Sequence, residues 1–125
     1  MEQLVKPSSQ PKILLIGSDT SLTYLIGRYA ERGGYRIIVL TTRPSAEKVR
    51  ASKPLAVLFP SVESLEAAQP LISDLANWDI PVMVCSSVTD ELRARELGAD
   101  HCLLHPLTYD GFLAALAAAR APRDS

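Results

Sequence analysis

The sequence predicts a single α/β domain built on a five-stranded parallel sheet, for three reasons. Five short apolar runs alternate along the chain with segments that carry helical spacing. The runs lack polar–apolar alternation, which is typical of strands covered on both faces. The chain has 125 residues, enough for one core and too few for two. Right-handed crossovers then favour a doubly wound sheet in the order 2-1-3-4-5.

The apolar runs define the predicted strands. They are Lys12–Ile16, Arg36–Leu40, Leu55–Phe59, Pro81–Cys85 and Cys102–Leu104. A doubly wound sheet places its functional site at the carboxyl ends of its strands. The candidate site therefore comprises residues 17–19, 60–61, 86–87 and 105–106.

Five predicted helices separate and follow these strands. The first carries Leu22, Leu25, Ile26 and Tyr29 on one face, has Asp19, Thr20 or Ser21 as its candidate N-cap, and ends at Gly33-Gly34. The other four span Pro44–Ser52, Val62–Asn77, Thr89–Leu97 and Thr108 to about Arg120. Pro70 should kink or split the third helix, and Gly98 should end the fourth.

Composition excludes several classes of protein. Hydrophobic residues make up 47% of the chain and charged residues 22%, which is typical of globular domains. The net charge of −1 leaves no basic surplus for a nucleic-acid backbone. No segment resembles a signal peptide or reaches membrane-spanning length, so a cytoplasmic protein is expected. Residues 1–10 are predicted to be a disordered lead-in to a domain over residues 11–120, with a tail at 121–125. Cys85 and Cys102 are expected to be buried free thiols.

Four segments resemble the receiver domains of two-component response regulators. Gly98–Leu107 reads GADHCLLHPL, similar to the closing family signature GADDYLxKPF. Lys53–Pro60 (KPLAVLFP) is similar to the third strand, KPDLVLLD, and Pro81–Ser87 (PVMVCSS) to the fourth, PVIxLTA. Ile13–Asp19 (ILLIGSD) resembles the first strand and the acidic pair that follows it. The resemblance covers residues 11–120 and implies a flavodoxin-like fold with a cis His105-Pro106 bond.

This sequence departs from the family pattern where the family binds Mg²⁺ and phosphate. In the family, two carboxylates after the first strand and the acceptor aspartate after the third supply oxygen ligands to Mg²⁺. The corresponding residues here are Gly17, Ser18 and Pro60. Proline has no nucleophilic atom, so no aspartyl phosphate is expected at residue 60, and no Mg²⁺ or other cofactor is expected either.

The remaining pocket positions are also changed. The family's hydroxyl switch residue corresponds to Ser86, but its lysine corresponds to His105 and its aromatic switch residue to Cys102. Asp19 is the nearest carboxylate, and we expect it to cap the first helix rather than accept phosphate. His105 either fills the space of the lysine or binds an anion. The stretch from Ser86 to Gly98 is about one helical turn shorter than usual, so the fourth helix should be trimmed.

The fifth predicted helix carries nine consecutive uncharged residues, Gly111–Ala119. Phe112, Leu116 and Ala119 form a stripe toward the core, which directs Ala114, Ala115 and Ala118 toward solvent or a partner. Alanine on a surface helix can reflect helix propensity alone. The family, however, dimerises or docks its outputs through helix 4, strand 5 and helix 5, so we expect an interface there.

These observations favour a non-enzymatic pseudo-receiver, a signalling domain that binds a protein partner or a second copy without phosphorylation. No contact with nucleic acid or membrane is expected. One alternative is a sensor of an anion or small ligand, with a pocket around Ser18, Ser86 and His105. A more distant one is an atypical phosphoacceptor that uses Asp19 or another acidic residue.

Overall fold

The predicted sheet topology is confirmed. The computed structural model describes residues 10–17 and 20–120, and its five parallel strands lie in the order β2-β1-β3-β4-β5. The strands are β1 (Lys12–Ile16), β2 (Arg36–Leu40), β3 (Ala56–Phe59), β4 (Val82–Ser86) and β5 (His101–Leu104). Each neighbouring pair is parallel, so all carboxyl ends meet at one edge of the sheet.

Helices cover both faces of the sheet. On one face lie α1 (Thr20–Gly33) and α6 (Tyr109–Arg120), which pack on alternate residues of β1, β3 and β4 such as Leu15, Leu58 and Met83. The other face carries α2 (Ala46–Ser52), α3 (Val62–Ala67), α4 (Gln69–Asn77) and α5 (Glu91–Glu96). Among the described residues no helix is long and apolar enough to cross a membrane.

The third predicted helix is split, as its proline suggested. Ala68 separates α3 from α4, and Pro70 lies in the first turn of α4, where its missing N–H has no helical acceptor to lose. The Gln69 side chain spans the break. Its amide nitrogen donates to the carbonyl oxygens of Leu65 (3.2 Å) and Leu97 (2.9 Å), which joins α3 to the end of α5.

Two predicted helix boundaries need correction. The second helix begins at Ala46 rather than Pro44, because Ser45 is its N-cap and accepts a hydrogen bond from the Lys48 backbone at 3.2 Å. The fourth predicted helix is a 3-10 turn (Val88–Asp90) followed by α5, which has only six residues. The expected trimming of that helix is therefore observed.

The prediction that all five strands are covered on both faces is wrong for the two outer strands. Every residue of β3 and β4 is buried, but no residue of β2 is, and Leu103 alone is buried in β5. An edge strand has a neighbour on one side only, and apolar composition does not reveal the number of neighbours. Cys85 is buried as expected, whereas Cys102 is only partly buried, and within the described residues neither forms a disulfide.

Candidate functional site

The β1–β3 register brings Gly17 and Pro60 together. Leu15 pairs with Leu58, so the residues two places further along face each other. Pro60 is buried, and its ring fills the space beside Gly17. A Cβ atom at residue 17 would lie 2.5 Å from Cγ and 2.8 Å from Cδ of Pro60. Residue 17 therefore admits no side chain while residue 60 is proline.

The second group of candidate residues lies where β4 and β5 end. Ser86 is 3% exposed, and its hydroxyl makes no hydrogen bond of ordinary geometry within the described part of the chain. Burial raises the pKa of the Cys102 thiol, and the nearby Arg95 guanidinium and Ser86 hydroxyl oppose this rise without cancelling it.

His105 joins this group through its backbone. Its N–H donates to the carbonyl oxygen of Ser86 at 3.1 Å, while its side chain is exposed. The His105-Pro106 peptide bond is cis, which confirms the expectation drawn from the resemblance. Ser18 and Asp19 lie outside the described residues, so their roles in a pocket or a helix cap stay predictions.

The chemical groups at the strand ends can be named for the described residues of the site. At the Gly17–Pro60 contact there is neither a carboxylate nor a nucleophile. The β4–β5 group supplies a buried hydroxyl, a thiol whose pKa is raised, and an exposed imidazole. In residues 10–17 and 20–120 no cluster of three or more His, Cys, Asp or Glu side chains is placed to hold a metal ion.

The proposed interface residues are only partly directed outward. Ala114 and Ala118 are exposed, whereas Ala115 is half-buried and packs against the core cluster of Phe112 and Leu116. The prediction that Ala115 faces solvent therefore needs correction. It sits one residue before Leu116, and the helix turns that side partly inward.

Sequence reasoning missed the most exposed apolar side chains of this region. Val88 and Leu92 are 67% and 72% exposed, and Leu104 on the β5 edge is 38% exposed. Val88 and Leu92 are four residues apart, and Ala94 is the buried residue of α5. The signal available in the sequence was the four-residue spacing of Val88 and Leu92, which puts two apolar side chains on one side of a helix.

Solved structures with the same architecture are receiver domains. A response regulator from Thermotoga maritima is 20% identical with a TM-score of 0.71, over 89% of this chain and 98% of that chain. The signal receiver domain of a putative Luxo repressor protein from Vibrio parahaemolyticus is 21% identical with a TM-score of 0.65, over 89% and 90%. A receiver domain protein from Clostridium thermocellum is 15% identical with a TM-score of 0.67, over 88% and 94%.

The chain has the fold of a response regulator receiver domain. No family model and no curated protein matches the sequence. At these levels of identity the receiver fold is what is shared, and the chemistry depends on the residues of this chain.

Proposed function

We propose that this domain is a pseudo-receiver, which acts in signal transduction by binding protein without being phosphorylated and without catalysing a reaction. The observation that carries the proposal is the buried Pro60 ring packed against Gly17. In the receiver fold these positions correspond to the acceptor aspartate and to one of the Mg²⁺-binding carboxylates. A proline ring in place of an acidic cavity leaves neither a nucleophile nor a ligand for the metal.

The two substitutions support each other. A carboxylate could not return at residue 17 while Pro60 is present, because even a Cβ atom would lie 2.5 Å from the proline ring. The packing of Pro60 therefore excludes a carboxylate at residue 17, so the proposal rests on two residues rather than on one.

The apolar surface around α5 and β5 supports a role in protein binding. Val88, Leu92 and Leu104 expose apolar side chains there, and Ala114 and Ala118 form an uncharged surface on α6. Exposed apolar groups of this kind are typical of binding surfaces when several occur in one region. The proposed partner is another protein or a second copy of the chain.

The test is to expose the domain to acetyl phosphate and Mg²⁺, and separately to a beryllofluoride mimic. A response regulator protein from Burkholderia pseudomallei, whose solved structure contains a phosphorylated aspartic acid, is treated in parallel as the positive control for the reagents. We expect no phosphoryl mass increment by intact mass spectrometry and no amide shift changes around Gly17, Pro60 or Ser86. A mass increment, or shifts clustered at those residues, would refute the proposal.

A second candidate function is an anion sensor, favoured by the buried Ser86 hydroxyl and by the backbone hydrogen bond that joins Ser86 to the exposed His105. Ser86 is 3% exposed, and its hydroxyl has no hydrogen-bond partner of ordinary geometry in the described residues. A buried hydroxyl in this state raises the free energy of the folded protein. Titration with inorganic phosphate, followed by the amide shifts of Ser86 and His105, tests this candidate. Saturable shifts that disappear in Ser86→Ala would favour the sensor, whereas unchanged shifts would eliminate it.

A further inference from the structure

Charge is divided unequally along the chain and therefore across the sheet. Residues 12–53 contain eight Lys or Arg and three Asp or Glu, a net charge of +5; residues 54–110 contain two and nine, a net charge of −7. The strand order places the first segment at the β2 side of the sheet and the second at the β4 and β5 side. Arg36 and Lys48 are exposed on the β2 side, whereas Arg32 and Arg50 stack over the rings of Tyr109 and Trp78.

The β2 strand is an uncovered edge with apolar side chains. Four of its five residues are apolar, none is buried, and Val39 is 41% exposed. Proteins usually protect an edge strand with charge, proline or a covering segment, because its unpaired backbone can bind another strand. Within β2 only Arg36, at the start, supplies a charge.

The backbone of β2 has hydrogen-bonding groups directed outward. Arg36 donates its N–H to Pro11 at 2.9 Å, and Leu40 accepts from Gly17 at 3.0 Å, so both residues turn their backbone groups to β1. Backbone groups alternate sides along a parallel strand. Ile37 and Val39 therefore direct their N–H and C=O groups to the open edge.

Both faces beside this edge offer apolar contacts. On the α2 face a cleft of about 790 Å³ has Leu14, Ile38, Leu40 and Val49 at its apolar surface and Arg43 and Lys48 at its polar one. The exposed Val39 lies on the opposite, α1 face, which it shares with Ile37 by strand alternation. A strand added to β2 would place alternate side chains in the cleft and on Val39.

We propose that the β2 edge binds an extended segment of a partner protein, with an apolar centre and acidic ends. Main-chain hydrogen bonds to Ile37 and Val39 would supply affinity, and the cleft would select apolar side chains at alternate positions. Arg36 at the start of β2 and Lys48 in the cleft are both exposed and are the cations available to acidic residues at the ends of the segment, whereas the Arg43 guanidinium donates to the carbonyl oxygen of Ala67. This surface is separate from the α5–β5–α6 surface of the proposed function.

The edge backbone and the charge identify a peptide segment rather than a small ligand. A small apolar acid would use the cleft and Lys48 but not the outward groups of Val39. A strand uses both, together with the exposed Val39 side chain on the α1 face and the apolar part of the cleft on the α2 face. Its acidic ends would also be attracted by the net charge of +5 in residues 12–53.

The probe is a short synthetic peptide with glutamates at both ends and a central run in which valine alternates with threonine. We expect saturable shifts at the amides of Ile37, Ile38 and Val39 that weaken as salt is added. An analogue N-methylated at alternate central residues cannot pair along one edge, so its binding should weaken at least about tenfold. An analogue with lysine in place of glutamate should weaken comparably.

Variants of the protein complete the test. Val39→Pro removes one outward donor and leaves the β1–β2 hydrogen bonds in place, because proline is tolerated on the open side of an edge strand. It should reduce binding at least about tenfold, whereas Val39→Thr, which keeps the donor, should bind almost normally. If Val39→Pro unfolds, two other measurements test the proposal. Lys48→Glu should weaken binding of the acidic peptide, and the N-methylated peptide should bind more weakly than the unmodified one.

Four outcomes would overturn the proposal. These are the absence of shifts in β2, equal binding of the N-methylated peptide, and equal binding of octanoate, which would assign the cleft to a small ligand. The fourth is concentration-dependent shifts in β2 without peptide, which would assign the edge to a second copy. None of these results depends on whether the domain takes up phosphate, so the proposed function is tested separately.

Discussion

At the residue scale, Gly17 and Pro60 are in close contact where β1 and β3 end. The same contact makes residue 17 sensitive to the smallest possible substitution, because the ring belongs to a buried residue and has little freedom to move away.

Gly17→Ala should destabilise the domain by about 1–3 kcal/mol, because its Cβ would overlap Pro60 and because residue 17 has a φ of +155°, which side chains rarely adopt. Adding Pro60→Ala should recover part of the loss, which a double-mutant cycle in urea unfolding would measure as coupling. Gly27→Ala is the matched control. Nothing lies within 4 Å of a Cβ at that helical residue, so it should stabilise by up to ~1 kcal/mol. Equal effects at both glycines would contradict the packing argument.

The raised pKa of Cys102 predicts slow alkylation at neutral pH. Burial disfavours the thiolate more than Arg95 and Ser86 favour it, so the reactive form becomes abundant only at a higher pH than in an unperturbed thiol. The iodoacetamide reaction rate should therefore keep rising above the pH at which a cysteine in an unfolded peptide levels off. Ser86→Ala should move the profile further up in pH. A rate–pH profile identical to that of the unfolded peptide would contradict the raised pKa of Cys102. The measurement is made in Cys85→Ser, so that only the Cys102 thiol can react.

At the scale of elements, Gln69 is the side chain that holds the split helix together. Its single amide nitrogen serves two carbonyl oxygens at the ends of α3 and α5. The junction needs a donor at this point, because both partners only accept hydrogen bonds.

Gln69→Glu should destabilise the domain by about 2 kcal/mol at neutral pH, because a carboxylate would then face two carbonyl oxygens. The loss should shrink at low pH, where a protonated carboxyl can donate one hydrogen bond. Gln69→Leu, which removes the donor without adding charge, should cost less at neutral pH and show no such pH dependence. Urea unfolding at two pH values distinguishes the variants. An equal loss of unfolding free energy for Gln69→Glu at both pH values would contradict the role of the Gln69 amide as a hydrogen-bond donor.

Association through α5, β5 and α6 should be weakened by charge on their exposed surfaces. Leu92→Glu and Ala118→Arg should each reduce the apparent mass in light scattering at micromolar concentration, with little change in melting temperature, since both side chains are exposed. Ser73→Glu, at an exposed position of α4, is the control and should leave the mass unchanged. A wild-type monomer whose captured partners are unaffected by these substitutions would remove the case for this interface.

At the scale of the whole molecule, the separation of charge bears on stability. Like charges are concentrated on each side of the sheet, and the described ion pairs, Arg93–Glu66 and Arg95–Glu91, both lie on the acidic side. Their contribution is small, because the side chains are about half exposed. Repulsion within each side is therefore expected to exceed the attraction that these pairs supply.

Moderate salt should therefore stabilise the fold by screening repulsion on each side. We expect the urea midpoint to rise by an amount worth less than ~1 kcal/mol between low and physiological ionic strength. Reversing two basic residues of the β2 side, with Lys48→Glu and Lys53→Glu, should reduce the salt dependence. A midpoint that falls with added salt would show that attraction between the two sides dominates.

The sequence predicted the fold well because the fold depends on long patterns. Alternation of apolar runs with helical spacing, together with Pro70 and the glycines at helix ends, was sufficient for the strand order and the split helix. It did not predict the exposure of β2, since Arg36–Leu40 is as apolar as the central strands. Nor did it predict the Gly17–Pro60 contact, which joins residues 43 positions apart and depends on the strand register.

The packing of Pro60 also constrains the order in which the domain could acquire an acidic site by mutation. An aspartate at residue 17 would be rejected first by the proline ring, so any neutral route must begin by replacing Pro60. Replacing Pro60 alone would open a small void beside a glycine and provide no ligand set. An acidic site at these two positions would therefore require changes at both residues, because the effect of a substitution at residue 17 depends on the residue at position 60.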